Sequence, residues 1–312
     1  MQPALSIIFF TTASGAGFGL FMVLSAYTLF NKPNATLFVT LCVVGFILII
    51  LGLFSSTLHL ANPKNAWRAF SRFKTSWLAR EAVIAVAFFP VALLWIAAWW
   101  LGIAEQSYAL WVVASLSTLG LALATVFSTA MIYACLKTIP QWHTAMTPMN
   151  YIFLALTTGS LLILAILEAT GTYSLVVLIL ALTFIVMSAI SKLIYYAWIG
   201  IPKGSTIATA TGFTREPVRL LDVGHTSGTF LTDEFGYKIT KNKSLLLRTS
   251  VFMLAFVLPA LLLISTMTKV SIAPPLMLIG FLSSFLGVLI ERWLFFSEAR
   301  HVVNLYHGTT KV

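Results

Sequence analysis

Charge is what this sequence has least of. Only 9% of its 312 residues are charged, against 59% hydrophobic. A soluble domain carries roughly 25% charged residues, so a chain this apolar could not cover a water-facing surface. Cysteine is nearly absent too. Cys42 and Cys135 each sit inside an apolar run, where a thiol packs as a small hydrophobe. Nothing in their placement suggests a disulfide framework, a Cys-ligated cluster or a zinc site. There is also no P-loop, no His-Glu-x-x-His, no Cys-x-x-Cys and no Ser/His/Asp set. The amino-terminal apolar stretch has no charged region before it, so it reads as a first span rather than a cleaved signal.

What is present is length in the apolar runs. Crossing a bilayer takes about 20 apolar residues as a helix. Eight runs qualify: 4–30, 35–58, 82–101, 108–136, 150–168, 173–199, 248–268 and 273–296. Prolines, glycines and asparagines punctuate the gaps, as at Asn31-Lys32-Pro33-Asn34, Asn62-Pro63, Pro140, Gly171 and Pro274-Pro275. Lipid cannot satisfy backbone polar groups, so the runs must be helices. The expected fold is all-α, one transmembrane domain over 1–312 built as a bundle of eight helices, with one long polar loop at 200–247. That loop is rich in Thr and Gly and includes a candidate hairpin at 232–237. It is either a docking surface or a mobile connection.

The net charge of +10 has a sided distribution. Fifteen of the nineteen basic residues fall in 59–80, 137–149, 200–248 and the carboxyl-terminal tail, which eight spans place on one side. Lys32 and Lys269 lie on the other, and Lys192 and Arg292 fall within spans. Basic loops stay in the cytoplasm, so both termini are expected there, in the inner (cytoplasmic) membrane. This accounts for the positive charge without nucleic acid. Ser14, Gly15, Gly17 and Gly19 in the first span lack a preceding strand and are expected to permit close helix packing.

Polar chemistry concentrates between the second and third spans. His59 ends one, Glu81 opens the other, and Trp67, Arg68, Phe70, Arg72, Phe73 and Lys74 lie between. Aromatic and basic side chains in that mixture favour the membrane surface. A quinone needs an apolar slot, hydrogen-bond partners for its carbonyl oxygens and a proton route. Histidine donates and exchanges protons near neutrality. A carboxylate at the head of an apolar helix is costly unless it has a task or a partner. Either His59 and Glu81 serve a quinone, or one is a boundary residue and the other stabilises a helix start.

These residues carry a resemblance. His59, Leu60, Pro63, Ala66, Arg72, Ser76, Leu78 and Glu81 resemble, at matching spacing, a signature of the membrane anchor subunits of DMSO reductase and of sulfite dehydrogenase (sulfite:quinone oxidoreductase). Pro140-Gln141-Trp142 followed by Thr147-Pro148-Met149 is a second match, and Arg292 with Phe295 a weaker one, Val288 standing where the family has Glu. The resemblance implies a quinone-reactive anchor of a molybdopterin oxidoreductase complex, for ubiquinone or menaquinone. It implies a quinone site of His59 and Glu81, to which Arg72, Trp77 and Arg80 are added as candidate walls for the headgroup. It implies no catalytic or metal-ligating residue in this protein. The partners it implies are a ferredoxin-like subunit with four iron–sulfur clusters and a molybdopterin catalytic subunit. Placing the signature loop in the cytoplasm favours the sulfite dehydrogenase type. The alternatives are a DMSO reductase anchor that oxidises menaquinol, and a secondary transporter, against which stands the near absence of ionisable residues in mid-span. No span carries a mid-length histidine, so a bis-His haem b is unsupported, though haem at the charged face stays open.

Overall fold

A computed structural model describes the chain except residues 1–2, 59–61, 200–204, 214, 216–217, 220, 223–228, 230–234, 238, 267–272, 308 and 310–311. His59 and most of the candidate hairpin at 232–237 therefore lie outside the described residues. Eight helices are long and apolar enough to cross a membrane, and the described residues contain no β-strand. In order the spans are Leu5–Tyr27, Ala35–Thr57, Trp77–Trp100, Tyr108–Ala134, Met146–Ala169, Leu175–Ile199, Lys241–Thr266 and Pro274–Ser297. The protein is thus a polytopic membrane protein.

Three spans start earlier than the apolar runs suggest, among them the fifth, at Met146 rather than 150. The third begins at Trp77, because Ser76 is a good helix cap whose hydroxyl accepts from the Ala79 amide at 3.4 Å. The seventh begins at Lys241, so residues 241–247 are helix rather than loop. No glycine or proline interrupts Lys241–Val251, and a helix can run past the hydrocarbon into water. The seventh span changes to a π-helix over Phe252–Val257. The eighth span packs there: Ser283 donates to the Leu254 carbonyl at 2.8 Å and Ser284 to that of Ala255 at 3.3 Å.

The first and fifth spans form the centre and are the most buried. The first touches the second, fourth, fifth and eighth. Small residues make this possible. A Cβ on Gly19 would collide with the Ala155 backbone, and one on Gly159 with the backbone of Gly19 and Leu20. On another side Gly17 meets Gly45 and Ile49. The expected close packing therefore holds at Gly17 and Gly19. It does not hold at Gly15, where nothing approaches within 4 Å.

The charge-rich ends of the spans are tied by short connections. Trp142 turns back into the bundle, where its indole N–H donates to the Phe295 carbonyl at 2.9 Å and its ring stacks on Phe295 at 5.3 Å. Thr147 donates to the Trp142 carbonyl at 2.8 Å, and the Gln141 side chain accepts from the Arg300 amide at 3.0 Å. The Pro-Gln-Trp and Thr-Pro-Met pieces thus hold the fourth-to-fifth connection against the end of the eighth span. At the opposite end Lys32 pairs with the exposed Glu105 and holds its carboxyl below the usual range.

Candidate functional site

The surface segment comes first in sequence order. Pro63–Arg72 is a 3-10 helix with Trp67, Phe70 and, just beyond it, Phe73 exposed beside Lys64, Arg68, Arg72 and Lys74. Exposed aromatics among bases suit a headgroup layer or a protein partner better than plain water. Arg80 fastens this segment to the third span. Its guanidinium donates to the carbonyls of Phe73 at 3.0 Å and Lys74 at 2.8 Å, and stacks over Trp77 at 4.3 Å. Arg80 is thus committed to positioning the segment. The Trp77 ring meets Phe127 of the fourth span edge-on at 5.9 Å, and Arg72 is exposed.

Glu81 lies one turn inside the third span, roughly 6 Å along the axis from Trp77. It is 5% exposed, and its carboxylate accepts from the Thr129 hydroxyl of the fourth span at 2.6 Å. A stabiliser of a helix start would face water in the first turn; this carboxyl is packed into the bundle instead. Of the five candidate residues, the structure brings Glu81, Trp77 and Arg80 to one corner, with Arg72 on the surface segment above.

Thr129 borders a crevice among the first, fourth, fifth and eighth spans. Thr11, Thr12, Ser14, Tyr151 and Arg292 also line it. Behind Arg292 stands a group that hydropathy hides. Lys192 of the sixth span and Arg292 of the eighth both pair with Glu291, at 1%, 2% and 0% exposure respectively. Arg292 also stacks over Tyr151 at 3.8 Å, and Lys192 over Tyr195 at 4.2 Å. This trio lies inside spans yet leaves the middle of the spans nearly free of ionisable side chains among the described residues. All three lie one to two turns from the charge-rich end, within roughly 11 Å of it, and not at mid-membrane. Lys192 and Arg292 were visible as charges inside apolar runs. Glu291 was the available clue to their neutralisation, because an acid beside a base offers a pair even within a span.

Nearer the surface, Glu298 receives Arg248 at 2.9 Å and the Ser244 hydroxyl. These residues help line an open cleft of about 820 Å3 with Tyr237, Lys241 and Arg300. His143 is engaged at the end of the fourth span, its Nδ1 2.7 Å from the Ala134 carbonyl. Among the described residues no group of three or more His, Cys, Asp or Glu side chains could hold a metal ion.

The family described as "DMSO reductase anchor subunit (DmsC)" matches residues 1–297. A sulfite dehydrogenase subunit of Allochromatium vinosum is 33% identical over 331 aligned positions, covering 98% of this protein and 99% of that one. An anaerobic dimethyl sulfoxide reductase protein of Escherichia coli is 27% identical, the match covering 53% of the present sequence and 58% of the relative. Its counterpart YnfH from the same organism is 29% identical, over 40% and 43% respectively. No solved structure matches.

Proposed function

The protein belongs to the family of DMSO reductase anchor subunits, and from that premise we propose that it is the quinone-reactive anchor of a molybdopterin sulfite dehydrogenase. Electrons from sulfite reach it through an iron–sulfur subunit and leave on ubiquinone or menaquinone. The full-length similarity to a sulfite dehydrogenase subunit supports the sulfite type over a menaquinol-oxidising DMSO reductase anchor. The basic bias agrees, because it puts the surface segment and both termini in the cytoplasm of the inner membrane.

The observation that carries the reading is Glu81. A carboxyl buried in an apolar bundle is expensive, and this one lies one turn inside a span whose start Arg80 fastens to an aromatic and basic surface segment. Glu81 carries a proton to the quinone. His59 donates a hydrogen bond to a quinone carbonyl, and Trp77 walls the slot. Arg80 acts by holding the surface segment over it, and Arg72 faces the headgroups or the partner. The segment 63–76 and the described parts of 205–247 form the docking platform, whose bases meet an acidic partner face.

Two measurements test this. In the assembled complex, Glu81→Gln and His59→Ala are each expected to slow reduction of a quinone analogue by about ten-fold or more, the scale of losing a proton-transfer group. Sulfite oxidation with a soluble dye should continue, because it bypasses the anchor. Parental quinone rates in both variants would return these residues to a structural role. Orientation is tested separately by labelling with a membrane-impermeant maleimide. The exposed Cys135 lies at the charge-rich end, so it is first replaced by serine. Arg68→Cys is expected to react only after the cells are opened, and Tyr173→Cys, exposed at the opposite end, in intact cells. The reverse pattern overturns the orientation.

A further inference from the structure

Glu81 can hand a proton to a quinone once. To do so repeatedly it needs a supply, and a carboxyl this buried meets little bulk water. Its hydrogen bond to Thr129 leads to the crevice that Thr129 borders. That crevice offers about 20 Å3 to water, the space of one molecule. Its walls are polar where water would need partners. The Thr12 hydroxyl is buried without a protein partner, and the Tyr151 hydroxyl and the terminal nitrogens of Arg292 lie against each other without a well-aligned bond between them. Buried polar atoms grouped around a space of that size are the setting in which ordered water is held. Gly15 keeps the space open, since a side chain there would enter it unopposed.

We infer that this crevice supplies protons to Glu81: a water held by Thr12, Tyr151 and Arg292 passes them through the Thr129 hydroxyl. The inference rests on the reading of Glu81 as the quinone's proton donor. A quinone becomes quinol by taking two electrons, here from the iron–sulfur partner, and two protons. After Glu81 has given one proton to a quinone oxygen, Thr129 gives its hydroxyl proton to the carboxylate. Thr129 takes a replacement from the water on its free lone pair. One proton has moved and the hydroxyl is restored; the water, left as hydroxide, regains its proton from solvent water that reaches the crevice through its open side. Arg292 carries no proton in this sequence, because a guanidinium stays charged. It is a positioning residue, a fixed cation at the crevice wall that orients the water. Glu291 holds it in place.

The test uses the assembled complex and a short-tailed quinone. Thr129→Val removes the hydroxyl and keeps the shape. It is expected to lower quinone reduction about ten-fold at saturating quinone, with KM changed less than two-fold. The rate should fall further in D2O than it does for the parent. Thr129→Ser, which restores a hydroxyl, should recover the rate to within about two-fold. Tyr151→Phe deletes a hydroxyl at the crevice wall and should show the same pattern more weakly. It decides the matter if Thr129→Val does not assemble. Parental rates and isotope effects in these variants, alongside a slowed Glu81→Gln, overturn the supply route and leave the quinone role of Glu81 intact. A parental Glu81→Gln overturns both.

Discussion

Replacing Glu291 with glutamine is expected to remove most of the folded anchor from the membrane, whereas Lys192→Met leaves much of it. The argument is charge balance in a place without water. Two cations, Lys192 and Arg292, share one anion, and all three side chains are almost wholly buried. Removing the anion leaves two adjacent positive charges in a low dielectric. Breaking a buried pair in this way costs about 3–5 kcal/mol, because the remaining partner is desolvated and uncompensated. Removing Lys192 instead leaves Arg292 and Glu291 as a neutral pair, so the loss should be well below that range. The double variant Glu291→Gln with Lys192→Met should be more stable than Glu291→Gln alone, since one of the two stranded cations is gone. Anchor retained in membranes and the detergent melting temperature of the complex give the order. If Lys192→Met proves as damaging as Glu291→Gln, the charge-balance account fails.

Gly159→Ala is expected to separate the two central helices. The added methyl meets the backbone of Gly19 and Leu20, which cannot swing aside as a flexible side chain could. Overpacking a well-packed interior costs about 1–3 kcal/mol, and a backbone obstacle belongs at the upper end or beyond. The first span touches the second, fourth, fifth and eighth, so the displacement would be felt through the bundle and at the crevice beside Thr129. Gly120→Ala is the matched control. It lies inside the fourth span with open space around it, where alanine is the better helix former. Equal melting temperatures for the two variants would show that the first and fifth spans do not depend on this contact.

The eight spans, the sided charge and the segment between His59 and Glu81 could all be read from the sequence. Each is decided locally. A run of apolar residues enters lipid whatever its neighbours are, its backbone must then bond to itself, and a basic loop keeps its side without reference to packing. The third span starts a few residues before its apolar run, because Arg80 and Glu81 interrupt the hydropathy while Ser76 caps the helix. What the sequence could not supply was pairing across space. Glu81 meets Thr129 48 positions away, and Lys192 meets Glu291 99 positions away. Gly19 and Gly159 matter to each other only where two helices cross. A threonine in an apolar helix looks the same whether it bonds its own backbone or a buried carboxyl. The energy of an ion pair or a backbone contact depends on separation in space, which hydropathy does not encode. Tertiary packing alone therefore decided that the polar residues of six different spans meet in one layer beneath the charged face.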